Sequence, residues 1–210
     1  MTTARKLDLY KVHAAEYVAP KSPALIATKP GRYLTIDGTG EPNGREFVEK
    51  VGALYAMAYT IKMGKKRLGQ DYKVAGLEGL WWVAGGSAAW MARRRDQWRW
   101  KLLIRVPDFI KVRCVTMAAQ MLLEKGKGKA VTAVRLERIA EGRCVQVLHV
   151  GPYATETATI DLMLEFAEAN GLRFTGRHHE IYLSDPRRVK PEKLKTILRH
   201  PVAPRGPRGR

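Results

Sequence analysis

The spacing of apolar residues changes several times along the chain, and each change predicts an element. Residues 24–28 and 32–37 alternate, with Leu34 and Ile36 on one face and a turn at Lys29-Pro30-Gly31 between them, which predicts a hairpin. Phe47, Val51, Leu54, Ala58 and Ile61 recur at helical spacing, so a helix from about 43 to 62 should cover a sheet with one side. Asn43 and Glu46 suit its N-cap and reciprocal partner. Strands follow over about 72–83 and 97–106; Trp98 and Trp100 share one strand face, whereas Trp81 and Trp82 point to opposite faces. Pro107-Asp108 starts a second helix with Ile110, Cys114, Met117 and Met121 on its apolar side.

The same order then returns. Residues 131–139 and 143–150 read as a hairpin about Glu141-Gly142, Gly151-Pro152-Tyr153 leads into a helix over about 155–169, and Asn170-Gly171 closes that helix. A strand over 173–184 and a short basic helix over about 191–198 complete the pattern. Gly31-Arg32 and Gly142-Arg143 open corresponding strands. Hairpin, helix and strand twice over predicts an α+β fold of two strand-helix-strand-strand modules, about 23–124 and 130–202. Their antiparallel sheets would be related by pseudo-twofold symmetry around a central cleft. Residues 1–22 form an extension without an assigned element, and 203–210 a basic flexible tail.

Composition narrows the class. Two cysteines, Cys114 and Cys144, lack metal-type spacing and fit a reduced, cytoplasmic setting. No apolar run approaches the roughly 18 residues of a membrane span, and residues 1–16 do not read as a secretory signal. Net charge is +18. Basic residues crowd the C-terminal stretch from Arg187 to Arg210, and Arg93, Arg94, Arg95, Arg99 and Lys101 lie among Trp90, Trp98 and Trp100. Such mixtures can bind nucleic acid, but no recognition motif accompanies them, and a solvated basic surface reads the same way. Gly38-Thr39-Gly40-Glu41-Pro42-Asn43-Gly44 misses the dinucleotide spacing by one residue, and the Lys125–Lys129 loop lacks the phosphate-loop spacing. No cofactor is expected. The sequence does not set an oligomeric state.

One stretch carries candidate chemistry. In His178-His179-Glu180-Ile181-Tyr182-Leu183-Ser184-Asp185, strand alternation puts His178, Glu180 and Tyr182 on one face and sends His179 to the other. The two histidines therefore cannot share one ion, and no metal is expected even with His149 nearby. An ordinary half-exposed strand, with Glu180 paired to an arginine such as Arg177, would show the same pattern.

Four runs resemble the stand-alone members of the GyrI-like small-molecule-binding family: Leu77 to Trp82, Trp98 to Phe109, Leu148 to Tyr153, and His178 to Arg188. The resemblance covers about residues 24–202. It implies a small-molecule partner in an aromatic-lined cleft with a functional acid, and relatives that hydrolyse cyclopropane-bearing DNA-alkylating natural products. By position in that motif Glu180 is the cleft acid, and burial among rings would raise its pKa and strengthen it as a base. Tyr33, Trp82, Trp100 and Tyr182, with His149 and His178, would hold a flat ligand, and Tyr153 or Tyr182 would donate a hydrogen bond to its carbonyl oxygen. A cleft that binds or sequesters drugs without turning them over is the other function such residues allow.

Overall fold

The structure is a computed structural model that describes residues 6–83 and 97–206. The Gly85-Gly86-Ser87 connection, Trp90 and Arg93 to Arg95 lie outside the described residues. The first module contributes β1 (Ala24–Ala27), β2 (Gly31–Thr39), α3 (Arg45–Arg67), β3 (Glu78–Val83), β4 (Trp98–Val106) and α4 (Val112–Glu124). Short helices α1 (Leu9–Val12) and α2 (Ala14–Tyr17) precede it. The second contributes β5 (Arg135–Ile139), β6 (Arg143–Val150), α5 (Glu156–Ala169), β7 (Leu172–Phe174), β8 (His178–Tyr182) and β9 (Lys195–Pro204).

All these strands join one antiparallel sheet in the order β1-β6-β9-β8-β3-β4-β2-β5, with β7 paired to the far end of β9. The order is its own mirror about the β8–β3 seam: β8 answers β3, β9 answers β4, β6 answers β2 and β1 answers β5. The duplicated modules are therefore present, and their sheets are fused edge to edge through four residue pairs, from Glu78 opposite Ile181 to Trp81 opposite His178.

Two predicted hairpins are corrected by this topology. β1 pairs with β6 rather than β2, and β5 pairs with β2 rather than β6, so the first strand of each module is exchanged into the other half. Alternation within a strand says which residues share a face and nothing about which neighbour it chooses. The predicted basic helix at 191–198 is also wrong. A single 3-10 turn at Pro191–Lys193 leads into β9, a ten-residue strand flanked by β6 and β8. The run Thr196-Ile197-Leu198-Arg199-His200 is buried throughout, as a strand covered on both faces requires. β9 also takes up Ala203 and Pro204, the first residues of the expected tail. The strand predicted over 173–184 breaks at Gly176, whose φ of 66° no extended strand accommodates. The helix start moves as well: Asn43 adopts φ 66° and Gly44 is the N-cap of α3, with no side-chain cap.

The sheet has two unlike faces. Leu34, Ile36, Trp81, Trp100, Leu102, Ile104, Val145, Val147 and Leu198 form the main core with Leu54, Met57 and Ile61 of α3, Val115 and Leu122 of α4, and Ile160 and Met163 of α5. Each fully buried aliphatic side chain here contributes about 2 kcal/mol. On the reverse face, Tyr17 from α2 packs on Ile181 and Ile197, so the N-terminal segment is part of the fold. Helices α3 and α5 sit over the first and second halves respectively, and the seam between them carries β3 and β8.

Candidate functional site

Register fixes which side chains meet over the seam. Glu180 lies opposite Gly79 on β3 and Leu198 on β9, and His178 lies opposite Trp81, so Glu180, His178, Tyr182 and Trp81 all project from the helix-bearing face. Glu180 is only 6% exposed. Tyr182 Oη donates to Glu180 Oε2 at 2.7 Å, and His178 Nε2 stands 3.8 Å from Glu180 Oε1. The Trp81 indole N–H, buried without a hydrogen bond of ordinary geometry, is directed toward the same carboxylate. Gly79 makes the arrangement possible: a Cβ there would come within 2.8 Å of Trp81 Nε1 and 3.3 Å of Tyr182 Oη. Arg177 does not pair with Glu180; its guanidinium stacks 3.6 Å above the Trp82 ring on the reverse face.

A second acid, which the sequence did not single out, joins the first. Glu156 opens α5 and is 6% exposed, with Thr196 of β9 against it. Pro152, Tyr153 and the His149 ring set its position. His149 Nδ1 lies 2.8 Å from Thr159 Oγ1, and its Nε2 lies 3.3 Å from the Pro152 carbonyl oxygen, tying β6 to the first turn of α5. Read along the chain, Glu156 looks like any acid in a first helical turn; only the fold turns it inward.

Burial pushes both carboxyls up. Glu180 is raised to about 7 by desolvation, partly countered by the Tyr182 hydrogen bond and by the charge on His179. Glu156 is raised further, to about 10, by desolvation and by the negative charge Glu180 acquires first. Two neighbouring buried acids that repel one another cannot both ionise readily, so the pair tends to retain a proton at neutral pH. Tyr153, more than a third exposed, sets its ring edge-on to Tyr182 with centroids 5.8 Å apart, and its phenol is raised to about 12. His178 is held neutral by burial and by His200 beside it.

The other expected ligand contacts do not gather around Glu180. Tyr33 pairs with Arg105 across β2 and β4 and lies on the reverse face, where Arg105 stands 5.8 Å from its ring. Trp82 also lies on the reverse face, one residue out of phase with Trp81. Trp100 is on the correct face but wholly buried, its indole N–H donated to the Gly40 carbonyl and its ring packed edge-on against Phe47 of α3. His149 braces the β6–α5 turn. The structure therefore brings together Glu180, Tyr182, Tyr153 and His178, adds Glu156 and Trp81, and leaves Tyr33, Trp82 and Trp100 outside. The histidine parity holds: His178 and His179 point to opposite faces, and among the described residues no group of three His, Cys, Asp or Glu could hold a metal ion. No helix among the described residues is long and apolar enough to cross a membrane.

The chain has well-matched counterparts. Residues 113–203 match the GyrI-like small molecule binding domain. A crystal structure of an uncharacterized conserved protein from Listeria innocua is 42% identical, with a TM-score of 0.87 over 94% of this chain and 100% of that one. Two crystal structures of hydrolases from Listeria innocua are 40% and 39% identical, with TM-scores of 0.84 and 0.85, over 94% and 95% of this chain and the whole of each. The C-terminal domain of EcmrR, 13% identical with a TM-score of 0.56 over 88% of this chain and 98% of that one, shares the fold. No curated protein matches.

Proposed function

Because the chain belongs to the GyrI-like small-molecule-binding family, we propose that it binds flat lipophilic aromatic compounds at the Glu180–Glu156 site. We further propose that it adds water across the strained cyclopropane of DNA-alkylating members of that class. The observation that carries this reading is the pair of buried acids with opposite protonation preferences beneath aromatic rings. Two Listeria innocua counterparts described as hydrolases support the direction of the chemistry.

Glu180 is the base. Its raised pKa suits it to exchange a proton near neutral pH, and Tyr182 holds one carboxylate oxygen, leaving Oε1 to take a proton from water. The water oxygen bonds to a cyclopropane carbon as the ring C–C bond breaks. The released electron pair runs through the conjugated system to the substrate carbonyl oxygen, which becomes a phenolate. Glu156, still protonated, supplies the proton that this oxygen needs, and transfer from Glu180 restores it; the sum is addition of one water. Tyr182 is spoken for by Glu180, so Tyr153 is the phenol left to contact ligand.

The test is to incubate the protein with a cyclopropane-bearing alkylator and look for the water adduct by mass spectrometry, following binding separately by tryptophan fluorescence. Glu180→Gln preserves shape and should lower the rate at least about a hundredfold with binding retained. Unchanged turnover in that variant would move the chemistry elsewhere. Binding by the unaltered protein with no adduct would leave a sequestering role.

A further inference from the structure

Directly behind Glu180, on the reverse face, lies a buried ionic cluster that the chemistry above does not use. His179 Nε2 is 3.0 Å from Glu78 Oε2, and His179 Nδ1 is 3.0 Å from Glu141 Oε1. With Glu78 and Glu141 both ionised, their oxygens only accept, so both ring nitrogens donate and the ring is an imidazolium. The two acids are committed further: Tyr17 Oη donates to Glu78 Oε1 at 2.9 Å, and Arg199 Nη1 donates to Glu141 Oε2 at 2.9 Å. Arg199 Nε reaches Gln146 Oε1, and its Nη2 reaches the Glu16 carbonyl oxygen. Arg105 Nη1 donates to Glu16 Oε2 at 2.8 Å and to Tyr17 Oη at 3.3 Å. Tyr33 also faces Arg105, and His13 stands 3.7 Å from Glu16 at the outer margin.

With the three acids ionised, charges balance with a cationic ring: Glu16, Glu78 and Glu141 against Arg105, Arg199 and His179. A neutral His179 beside three ionised acids would leave a net negative charge in a cluster whose members are almost wholly buried, which is costly in low dielectric. The N-terminal segment, to which the sequence assigned no element, closes the cluster through Glu16 and Tyr17.

We propose that His179, fixed as an imidazolium behind the sheet, is a positioning residue for the reaction at Glu180: together with the Tyr182 hydrogen bond, its charge favours the ionised form of Glu180. The inference rests on the reading of Glu180 as the base. The two residues are consecutive in β8, with hydrogen-bonded β3 and β9 on either side, so protein and not water fills the space between them. On its own face Glu180 meets Tyr182, His178, Trp81, Glu156 and Tyr153, and none of these is a cation, since His178 is neutral. His179 is the nearest positive charge in the strand. Its own pKa is raised to about 9 by Glu141 and Glu78 against the cost of burial, so it stays charged throughout the range in which Glu180 titrates.

The decisive measurement is nuclear magnetic resonance on the intact protein, with nitrogen-labelled histidine and carboxyl-labelled glutamate. In the unaltered protein both His179 ring nitrogens should carry protons from pH 6 to 8; a single protonated nitrogen at pH 7 overturns the proposal. In His179→Gln the Glu180 midpoint should rise by about one pH unit, and in His179→Lys, which restores the cation, it should return to its original place. An unmoved midpoint in His179→Gln would refute the positioning role while leaving Glu180 as the base. Should His179→Gln fail to fold, His179→Lys and the unaltered protein still decide the matter, since a midpoint displaced upward in the lysine variant contradicts the proposal. The base assignment itself stands or falls separately, on turnover by Glu180→Gln.

Discussion

Glu156→Gln should make the protein more stable at neutral pH and no more stable in acid. The folded chain holds the Glu156 carboxyl protonated to about 10, whereas an unburied glutamate releases its proton at about 4.5. A carboxyl whose pKa is raised by folding binds more protons in the native than in the unfolded state. Stability is therefore undiminished below 4.5 and falls as pH rises from there toward the folded value. At pH 7 the penalty spans about 2.5 pH units at roughly 1.36 kcal/mol each, or about 3 kcal/mol. Glutamine keeps the shape and cannot ionise, so it removes this penalty. It exchanges the acid's contact with Thr196 for an amide's, which leaves a net gain of about 1–3 kcal/mol at pH 7 and none at pH 4. Urea unfolding of both proteins at pH 4, 5.5, 7 and 8.5 measures the difference directly. Curves separated by a constant amount at every pH would refute the argument, because they would show that Glu156 ionises in the folded protein as it does in the unfolded chain.

Other substitutions probe how the site is supported. Gly79→Ala should crowd Trp81 and Tyr182 and loosen their hold on Glu180, at a cost of about 1–3 kcal/mol in stability and a loss of turnover larger than the loss of fold; normal turnover would mean the seam tolerates a methyl there. Trp82→Ala should leave ligand affinity unchanged within about twofold, because its ring lies on the reverse face under Arg177, and a tenfold loss in a fluorescence titration would place the ligand on that face instead.

The basic C-terminal stretch illustrates how composition misleads when burial is unknown. Arg199 is 1% exposed and bonded to Glu141, Gln146 and the Glu16 carbonyl, so it contributes nothing to a solvated basic surface. Arg187, counted in the same basic stretch, is exposed and paired with its neighbour Asp185.

Local sequence determined the elements whose signals are local: the helices over α3 and α5, the strands β2, β4 and β6, the duplication announced by Gly31-Arg32 and Gly142-Arg143, and the opposed directions of His178 and His179. Strand alternation alone did not single out Glu180, since an ordinary half-exposed strand reads the same way; the resemblance of the His178 to Arg188 run pointed to it. Tertiary structure decided everything that depends on a distant partner. Strand exchange between modules, the conversion of the 195–204 stretch into a buried strand, the choice of Trp81 over Trp82, the inward turn of Glu156 and the recruitment of Glu16 and Tyr17 all follow from pairings between residues tens of positions apart. Alternation gives each side chain one of two directions. Which direction meets the core and which meets another charge is set by the neighbouring strand, and that neighbour is a property of the whole chain.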